Sequence, residues 1–132
     1  MDFRQTTIPG CYEIIPRILR DERGVFVKVF HEGVFEEHGL TTDWREEYYS
    51  ISRRGVLRGL HFQLPPHDHD KLVYCTAGAV LDAVVDLRKG SPTYGRQVLH
   101  ELSAEMGNML YIPRSLAHGF YVTSNKMTES QA

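Results

Sequence analysis

The sequence predicts a single all-β domain over residues 1–132, built as a β-sandwich or barrel with little helix and most simply as a jelly roll. Short runs rich in β-branched and aromatic residues recur along the chain, and turn signals separate them every ~8–12 residues. A length of 132 residues with 42% hydrophobic content suffices for one hydrophobic core. Within this domain we expect residues 1–20 to form an N-terminal segment and residues 125–132 a polar tail.

The predicted strands lie between turns rich in Gly, Pro, Asp and Ser. They cover residues 25–30, 47–52, 55–63, 71–76, 79–87, 97–102, 109–112 and 119–122. Residues 21–24, 89–92 and 103–108 are typical of turns. A turn of helix is predicted only at 34–40 and at 103–106.

Charge and composition exclude several classes of partner. The formal net charge is −2, so no overall basic field indicates binding to nucleic acid or to a membrane surface. The mixed aromatic and basic residues Tyr48, Tyr49, Arg53 and Arg54 are typical of a strand with solvated ends.

The chain start and the two cysteines predict a cytoplasmic protein. Residues 1–10 are polar and do not resemble a signal peptide, and no apolar run approaches the ~18 residues that a membrane span needs. Cys11 and Cys75 have no CxxC spacing, so we expect two separate buried thiols.

His61 is the first candidate for chemistry. It lies on a predicted strand between Leu60 and Phe62, so it points to the face opposite both. Arg58 and Gln63 join His61 on one accessible face only if the strand bends near Gly59. A structural histidine satisfied within the fold remains the alternative.

Other candidates lie on the strands that follow. Lys71 is either a cation beside a developing oxyanion or an edge lysine that discourages sheet pairing. Asp82 and Asp86 share a face of one strand, and a buried aspartate beside a histidine such as His118 would fix its tautomer. Solvated positions near turns are the alternative for both aspartates.

A metal site is the minority interpretation. His67 and His69 form an HxH pair after two prolines, and His118 follows at a distance that resembles the second motif of metal-binding cupins. A glutamate usually follows the HxH in such proteins, but Asp70 and Lys71 stand in that neighbourhood, and a lysine beside a divalent cation is unfavourable.

Motifs along most of the chain resemble the nucleotide-sugar 3,5-epimerases. These motifs are GVLRGLHFQ (55–63), KLV (71–73), VDLR (85–88), GSPTYG (90–95), LSAE (102–105), IP (112–113) and AHGF (117–120). The segment DERGVF (21–26) is similar to the family's upstream phosphate- and base-binding segment. The best-known members, the dTDP-4-dehydrorhamnose 3,5-epimerases, are cupin-type jelly rolls.

The resemblance implies a role for each candidate residue. His61 would be the base that removes a proton next to the C4 ketone, and Lys71 would stabilise the enolate oxygen. Arg58, Gln63 and His118 would bind the substrate, with Asp82 orienting His118. Arg23 and Phe26 would reach the nucleotide of a neighbouring subunit in a homodimer formed by exchange of N-terminal strands. The expected partner is a nucleotide-diphosphate ketosugar, with no metal and no other cofactor.

Three positions depart from the pattern of the thymidine enzymes. Lys28 stands where a glutamate usually lies near the base, and Glu46 and Tyr48 replace a usual Gln and Asn of the same pocket. A GDP- or CDP-linked ketosugar therefore stays open as the substrate.

The family's tyrosine acid would fall at position 131, where this chain has Gln131, and the carboxylate that pairs with the base would come later still. Residues 128–132 resemble an unstructured tail that replaces neither group. The loss of both groups predicts impaired turnover, and Tyr121 is the first other tyrosine to consider as the acid. The leading function is 3,5-epimerisation of a 4-keto-6-deoxy nucleotide sugar. A catalytically degenerate nucleotide-sugar-binding protein and a metal-dependent cupin isomerase or dioxygenase are the alternatives.

Overall fold

A computed structural model describes residues 1–124 of the chain and the backbone of residues 126–131. Within these residues the chain forms twelve strands and one short helix. The strands are β1 Asp2–Gln5, β2 Tyr12–Ile15, β3 Ile18–Asp21, β4 Gly24–Val27, β5 Tyr48–Arg53, β6 Leu57–His61, β7 Lys71–Ala77, β8 Ala79–Asp86, β9 Gln97–Ser103, β10 Met109–Ile112, β11 Leu116–Val122 and β12 Lys126–Gln131, and the helix is α1 Glu32–Glu37.

Two antiparallel sheets form the body of the domain. The larger sheet has the strand order β1-β2-β10-β7-β12-β5, and the smaller has the order β6-β11-β8-β9. The hairpin β3–β4 forms a separate two-stranded sheet. The predicted all-β jelly roll is therefore confirmed, with little helix.

The main core lies between the two sheets. It draws Val73 from β7, Leu110 from β10, Val84 from β8 and Phe120 from β11, all less than 5% exposed. Successive side chains of a strand point to opposite faces of its sheet, and these four residues point into the space between the sheets. Burial of apolar area of this kind contributes about 25 cal/mol per Å², and it is the main force that holds the sheets together.

A second apolar cluster covers the outer face of the larger sheet. Phe35 of α1 is fully buried there, and its ring packs edge-on against Phe30 at a centroid distance of 4.8 Å and against Phe3 at 5.9 Å. The helix begins after His31, whose Nδ1 accepts the backbone N–H of Val34 at 3.2 Å. Strand β10 is consequently buried on both faces.

Both ends of the chain form more regular structure than the sequence predicts. Strands β1 and β2 and all but the last residue of β3 lie in the segment 1–20, where the residue pattern itself predicts no strand. Residues 128–131, expected to be an unstructured tail, belong to β12, which pairs with β5 and β7. Backbone pairing on both sides favours a strand there despite the polar sequence.

The remaining predicted elements need smaller corrections. The strand expected at 25–30 ends at Val27, the helix expected at 34–40 covers Glu32–Glu37, and residues 104–106 form a turn and not a helix. Within the part of the chain that the structure describes, no helix has the length and apolar content to cross a membrane.

Asp86 stabilises the turn that follows β8. It is fully buried, not solvated, and it accepts hydrogen bonds from the Arg88 backbone and guanidinium, from Ser91 Oγ at 2.6 Å and from Thr93 Oγ1 at 2.6 Å. Burial alone would raise the pKa of this carboxyl, but these hydrogen bonds hold it well below its ordinary value. Asp86 therefore has a structural role.

Cys11 and Cys75 are both buried and form no disulfide. Burial raises the pKa of the Cys11 thiol to about 11, which keeps it protonated and unreactive at neutral pH.

Candidate active site

A cavity of about 530 Å³ opens between the two sheets near β5 and β6. These strands are the edge strands of the larger and the smaller sheet. The cavity is lined by Glu46, Tyr48, Ser50, Arg58, His61, Gln63, His69, Lys71 and Phe120. Four of the residues predicted from the sequence, Arg58, His61, Gln63 and Lys71, therefore meet at one site.

An irregularity in β6 brings His61 and Arg58 to the same face. His61 pairs with His118 of β11 and Arg58 pairs with Phe120, so Gly59 and Leu60 together lie opposite the single residue Gly119. Leu60 consequently points outward and is 57% exposed. The bend near Gly59, on which the prediction of a shared face depended, is thus present.

Two glycines permit this irregularity. Gly59 has φ +116°, and a Cβ placed on it would lie 2.6 Å from the Gly119 Cα and 2.9 Å from the His118 carbonyl oxygen. A Cβ on Gly119 would in turn lie 2.8 Å from the Arg58 carbonyl oxygen. The backbones of β6 and β11 therefore approach each other more closely than side chains would allow.

We expect Gly59→Ala to destabilise the protein by about 2–6 kcal/mol, because the new methyl group meets immovable backbone and the left-handed φ is strained for alanine. Urea unfolding measures the change in the free energy of unfolding. Gly24→Ala is the matched control, since Gly24 has φ +133° but nothing within 4 Å of an added Cβ. Equal losses in both variants would show that contact with Gly119 is unimportant.

Arg58 is held at the cavity by the neighbouring sheet. Its Nε donates to the Oγ of Ser52 on β5 at 2.9 Å, and Ser52 is itself only 4% exposed. This hydrogen bond ties the edge strands of the two sheets together. It leaves the rest of the guanidinium fork at the cavity, where it suits the oxygens of a phosphate.

Lys71 opens β7, which lies between β10 and β12 and is not an edge strand. The alternative of an edge lysine that prevents sheet pairing is therefore wrong. Lys71 is half-buried and lines both this cavity and a neighbouring pocket of about 410 Å³ that also includes Trp44, His67, Asp70 and Arg114.

His118 and Asp82 form a buried pair beneath the cavity. His118 Nε2 and Asp82 Oδ2 are 2.7 Å apart, and their side chains are 2% and 0% exposed. Burial raises the pKa of the Asp82 carboxyl, and the contact with His118 opposes that shift. Asp82 thus contacts the histidine it was expected to orient, but His118 is not among the residues that line the cavity.

A profile of the dTDP-4-dehydrorhamnose 3,5-epimerase family matches residues 5–130. The chain belongs to this family. It is 45% identical to the dTDP-4-dehydrorhamnose 3,5-epimerase of Shigella flexneri, over 96% of this chain and 70% of that protein.

Solved structures of epimerases have the same fold. The dTDP-4-dehydrorhamnose 3,5-epimerase of Elizabethkingia anophelis superposes with a TM-score of 0.93 at 43% identity, covering 99% of this chain and 72% of that one. The dTDP-6-deoxy-D-glucose-3,5-epimerase of Legionella pneumophila, solved with dTDP-4-keto-L-rhamnose, superposes with a TM-score of 0.94 at 40% identity, covering 98% and 69%. The epimerase resemblance of the sequence motifs is confirmed.

Three residues that were expected to bind the nucleotide lie outside the cavity that contains His61, namely Arg23, Phe26 and Lys28. Phe26 and Lys28 line a groove of about 280 Å³ beside α1, together with Leu19 of β3. Arg23 lies at the tip of the β3–β4 hairpin, where its Nη2 contacts Asp21 Oδ2 at 2.8 Å. Within one chain, Arg23, Phe26 and Lys28 therefore do not meet His61 at the cavity.

The geometry of the described residues does not support the alternative of a metal site. Among the residues described with side chains, no three His, Cys, Asp or Glu residues come together as a metal site would require. His67 lines only the neighbouring pocket, His69 lines both that pocket and the cavity, and His118 is buried against Asp82.

Glu46 and Tyr48, which the resemblance placed in the nucleotide pocket, line the cavity with His61, but sequence reasoning missed Ser50 and Ser52 of β5. Tyr48 and Ser50 line the cavity, and Ser52 anchors Arg58. These polar residues recur at every second position of one strand, which indicates a single polar face. The polar residues at every second position are visible in the sequence and could have predicted this polar face.

Proposed function

We propose that this chain epimerises a dTDP-linked 4-keto-6-deoxyhexose by removing protons from the carbons next to the C4 ketone, and that it acts in the cytoplasm. The observation that carries the proposal is the meeting of a histidine, a lysine and an arginine at one cavity between the sheets. This set matches the needs of the reaction, namely a base, a cation for the enolate oxygen and a phosphate ligand.

Proton removal is assigned to His61 and enolate stabilisation to Lys71. The two side chains belong to different sheets, so they approach a bound sugar from different walls of the cavity. When a C–H bond next to the ketone breaks, its electron pair moves onto the ketone oxygen. A fixed ammonium group beside that oxygen stabilises the charge as it develops and so lowers the barrier.

Substrate binding is assigned to Arg58 and Gln63, with support from the buried pair beneath them. In this proposal the Arg58 guanidinium, whose Nε donates to Ser52 Oγ, binds the diphosphate with its remaining N–H groups. His118 is the cross-strand partner of His61, and its contact with Asp82 makes the floor of the site rigid. We assign His118 and Asp82 a positioning role and not direct contact with substrate.

A second copy of the chain completes the site in this proposal. The β3–β4 hairpin pairs with neither large sheet, and its Leu19, Val25 and Phe26 are 48%, 57% and 62% exposed. An isolated hairpin with an apolar surface is only marginally stable in water, so a partner surface is expected to cover it. Packing on a second copy would carry Arg23, Phe26 and Lys28 to the nucleotide of that copy.

Complementation between two inactive variants tests this shared site. We expect His61→Gln and the double variant Arg23→Ala/Phe26→Ala to be inactive separately. Mixed after denaturation and refolding, they regain about a quarter of the wild-type rate, since half the dimers are mixed and each holds one intact site of two. A mixture that stays as inactive as its components would contradict sharing.

The function itself is tested by incubating the wild-type protein with dTDP-4-keto-L-rhamnose in D₂O and following the sugar protons by NMR. We expect enzyme-dependent replacement of the C3 or C5 proton by deuterium together with inversion. Binding of the nucleotide sugar without any exchange would favour a catalytically degenerate binding protein. Exchange abolished by a chelator and restored by a divalent metal would favour the metal-dependent alternative.

A further inference from the structure

Inversion at carbon needs an acid on the face opposite the base. If the base merely returns the proton it removed, the original configuration is restored. His61 stands on the wall formed by the smaller sheet, so the acid must come from the wall formed by the larger sheet. The resemblance to the family expects a tyrosine at position 131, but this chain has Gln131 there.

The pairing of β12 shows which residue lies next to that position. Residue 131 pairs with Tyr48 of β5 on one side and with Val73 of β7 on the other. Adjacent strands are only about 5 Å apart, which is less than the length of a tyrosine side chain. The hydroxyl of Tyr48 can therefore reach the same part of the cavity as the hydroxyl of a tyrosine at position 131.

The side chain of Tyr48 also lies on the wall of the cavity where the acid is needed. It lines the cavity with His61 and Lys71, and it belongs to the larger sheet, opposite the strand that carries His61. Its side chain is 47% exposed, so solvent can return a proton to it after each turnover.

The other tyrosines of the described chain do not line this cavity. Tyr121, the tyrosine first considered, lies on the outer face of the smaller sheet between Leu57 and Leu81. The hydroxyl of Tyr111 donates to Asp70. Tyr12 and Tyr74 pack in the cluster beneath α1, and Tyr49 and Tyr94 are exposed elsewhere.

We infer that Tyr48 is a catalytic residue, the general acid that protonates the enolate on the face opposite His61. This inference rests on the proposed function and adds the residue that makes epimerisation possible in this chain. His61 accepts the proton, and the C–H electron pair moves to the ketone oxygen beside Lys71. Tyr48 then gives its hydroxyl proton to the same carbon, the electron pair returns and the ketone reforms. The tyrosinate takes a proton from water and the imidazolium releases one, so no other reactant is consumed.

The inference predicts that exchange and inversion separate in Tyr48→Phe. With dTDP-4-keto-L-rhamnose in D₂O, we expect this variant to keep exchange within about tenfold of wild type, because His61 and Lys71 remain. Inversion falls by roughly 10²–10⁴-fold, because the acid is lost. Tyr49→Phe, one residue along β5 and 68% exposed, is the matched control and keeps both rates.

The double variant Tyr48→Phe/Gln131→Tyr is a second test of the role of Tyr48. Adding Gln131→Tyr to Tyr48→Phe moves the hydroxyl to the adjacent strand and should restore inversion to within about tenfold of wild type. Thermal unfolding confirms that each variant is folded.

The possible failures point to different conclusions. Inversion by Tyr48→Phe at the wild-type rate, or equal loss of exchange and inversion in the folded variant, would overturn the role of Tyr48 and leave the proposed function standing. Exchange without inversion in the wild-type protein would overturn the role of Tyr48 together with the proposed epimerisation, and would leave only the proton removal assigned to His61. Neither exchange nor inversion in the wild type would overturn the proposed function and this inference together.

Discussion

Replacing His61 with glutamine is expected to lower the rate of solvent deuterium exchange into the sugar by roughly 10²–10⁴-fold while the protein stays folded. Glutamine has a similar size and polarity but cannot accept the proton. His61 lies on an edge strand and is exposed at the cavity, so the substitution leaves no cavity in the core. The measurement is NMR of the C3 and C5 protons in D₂O, beside a thermal unfolding curve.

His67→Gln is the matched control for this variant. His67 is exposed and lines the neighbouring pocket but not the cavity that contains His61. We expect its exchange rate to match that of wild type. Unchanged exchange in folded His61→Gln would remove His61 from the reaction.

Lys71→Met should produce the second large effect, a fall of about 10²–10³-fold in kcat with a smaller change in KM. Methionine keeps the length and apolar stem of the side chain but removes the ammonium group. An interaction that strengthens as the enolate forms affects kcat most, because the neutral ketone gains less from it. Steady-state kinetics of epimerisation separates the two constants.

Lys89→Met controls for the loss of one positive charge. Lys89 is exposed in the turn after β8 and belongs to neither pocket. Its variant should retain the wild-type kcat. A rise in KM alone for Lys71→Met would mean that Lys71 binds the ground state and does not stabilise the enolate.

Much of the fold follows from local patterns in the sequence. Alternating apolar residues predict strands such as β8 and β9, whose residues alternate between more and less buried positions, and turn signals with Gly and Pro separate the strands from β5 to β11. Strand β1, Asp2–Gln5, is largely polar and lies at the edge of the larger sheet, so its sequence carries little signal. Strand β12 likewise depends on its two neighbours and not on its own pattern.

The site was predictable only in part. The motif around His61 placed Arg58 and His61 together, but the irregularity opposite Gly119 that makes this possible depends on contact between β6 and β11. Tyr121 could have been excluded by alternation, because His118 and Phe120 point inward and the next residue must point outward. The position of Tyr48 opposite His61 depends on the order of strands in two sheets, which no local pattern determines.

The central claim is that a ketosugar binds in the cavity between the sheets with His61 and Tyr48 on opposite faces of its ring. A crystal structure of the protein with a bound dTDP-linked 6-deoxyhexose tests it most directly. We expect C3 or C5 to lie about 3–3.5 Å from an imidazole nitrogen of His61, with the Tyr48 hydroxyl on the far side of the ring. A sugar bound instead in the neighbouring pocket beside Trp44 and Arg114, out of reach of His61, would contradict the account.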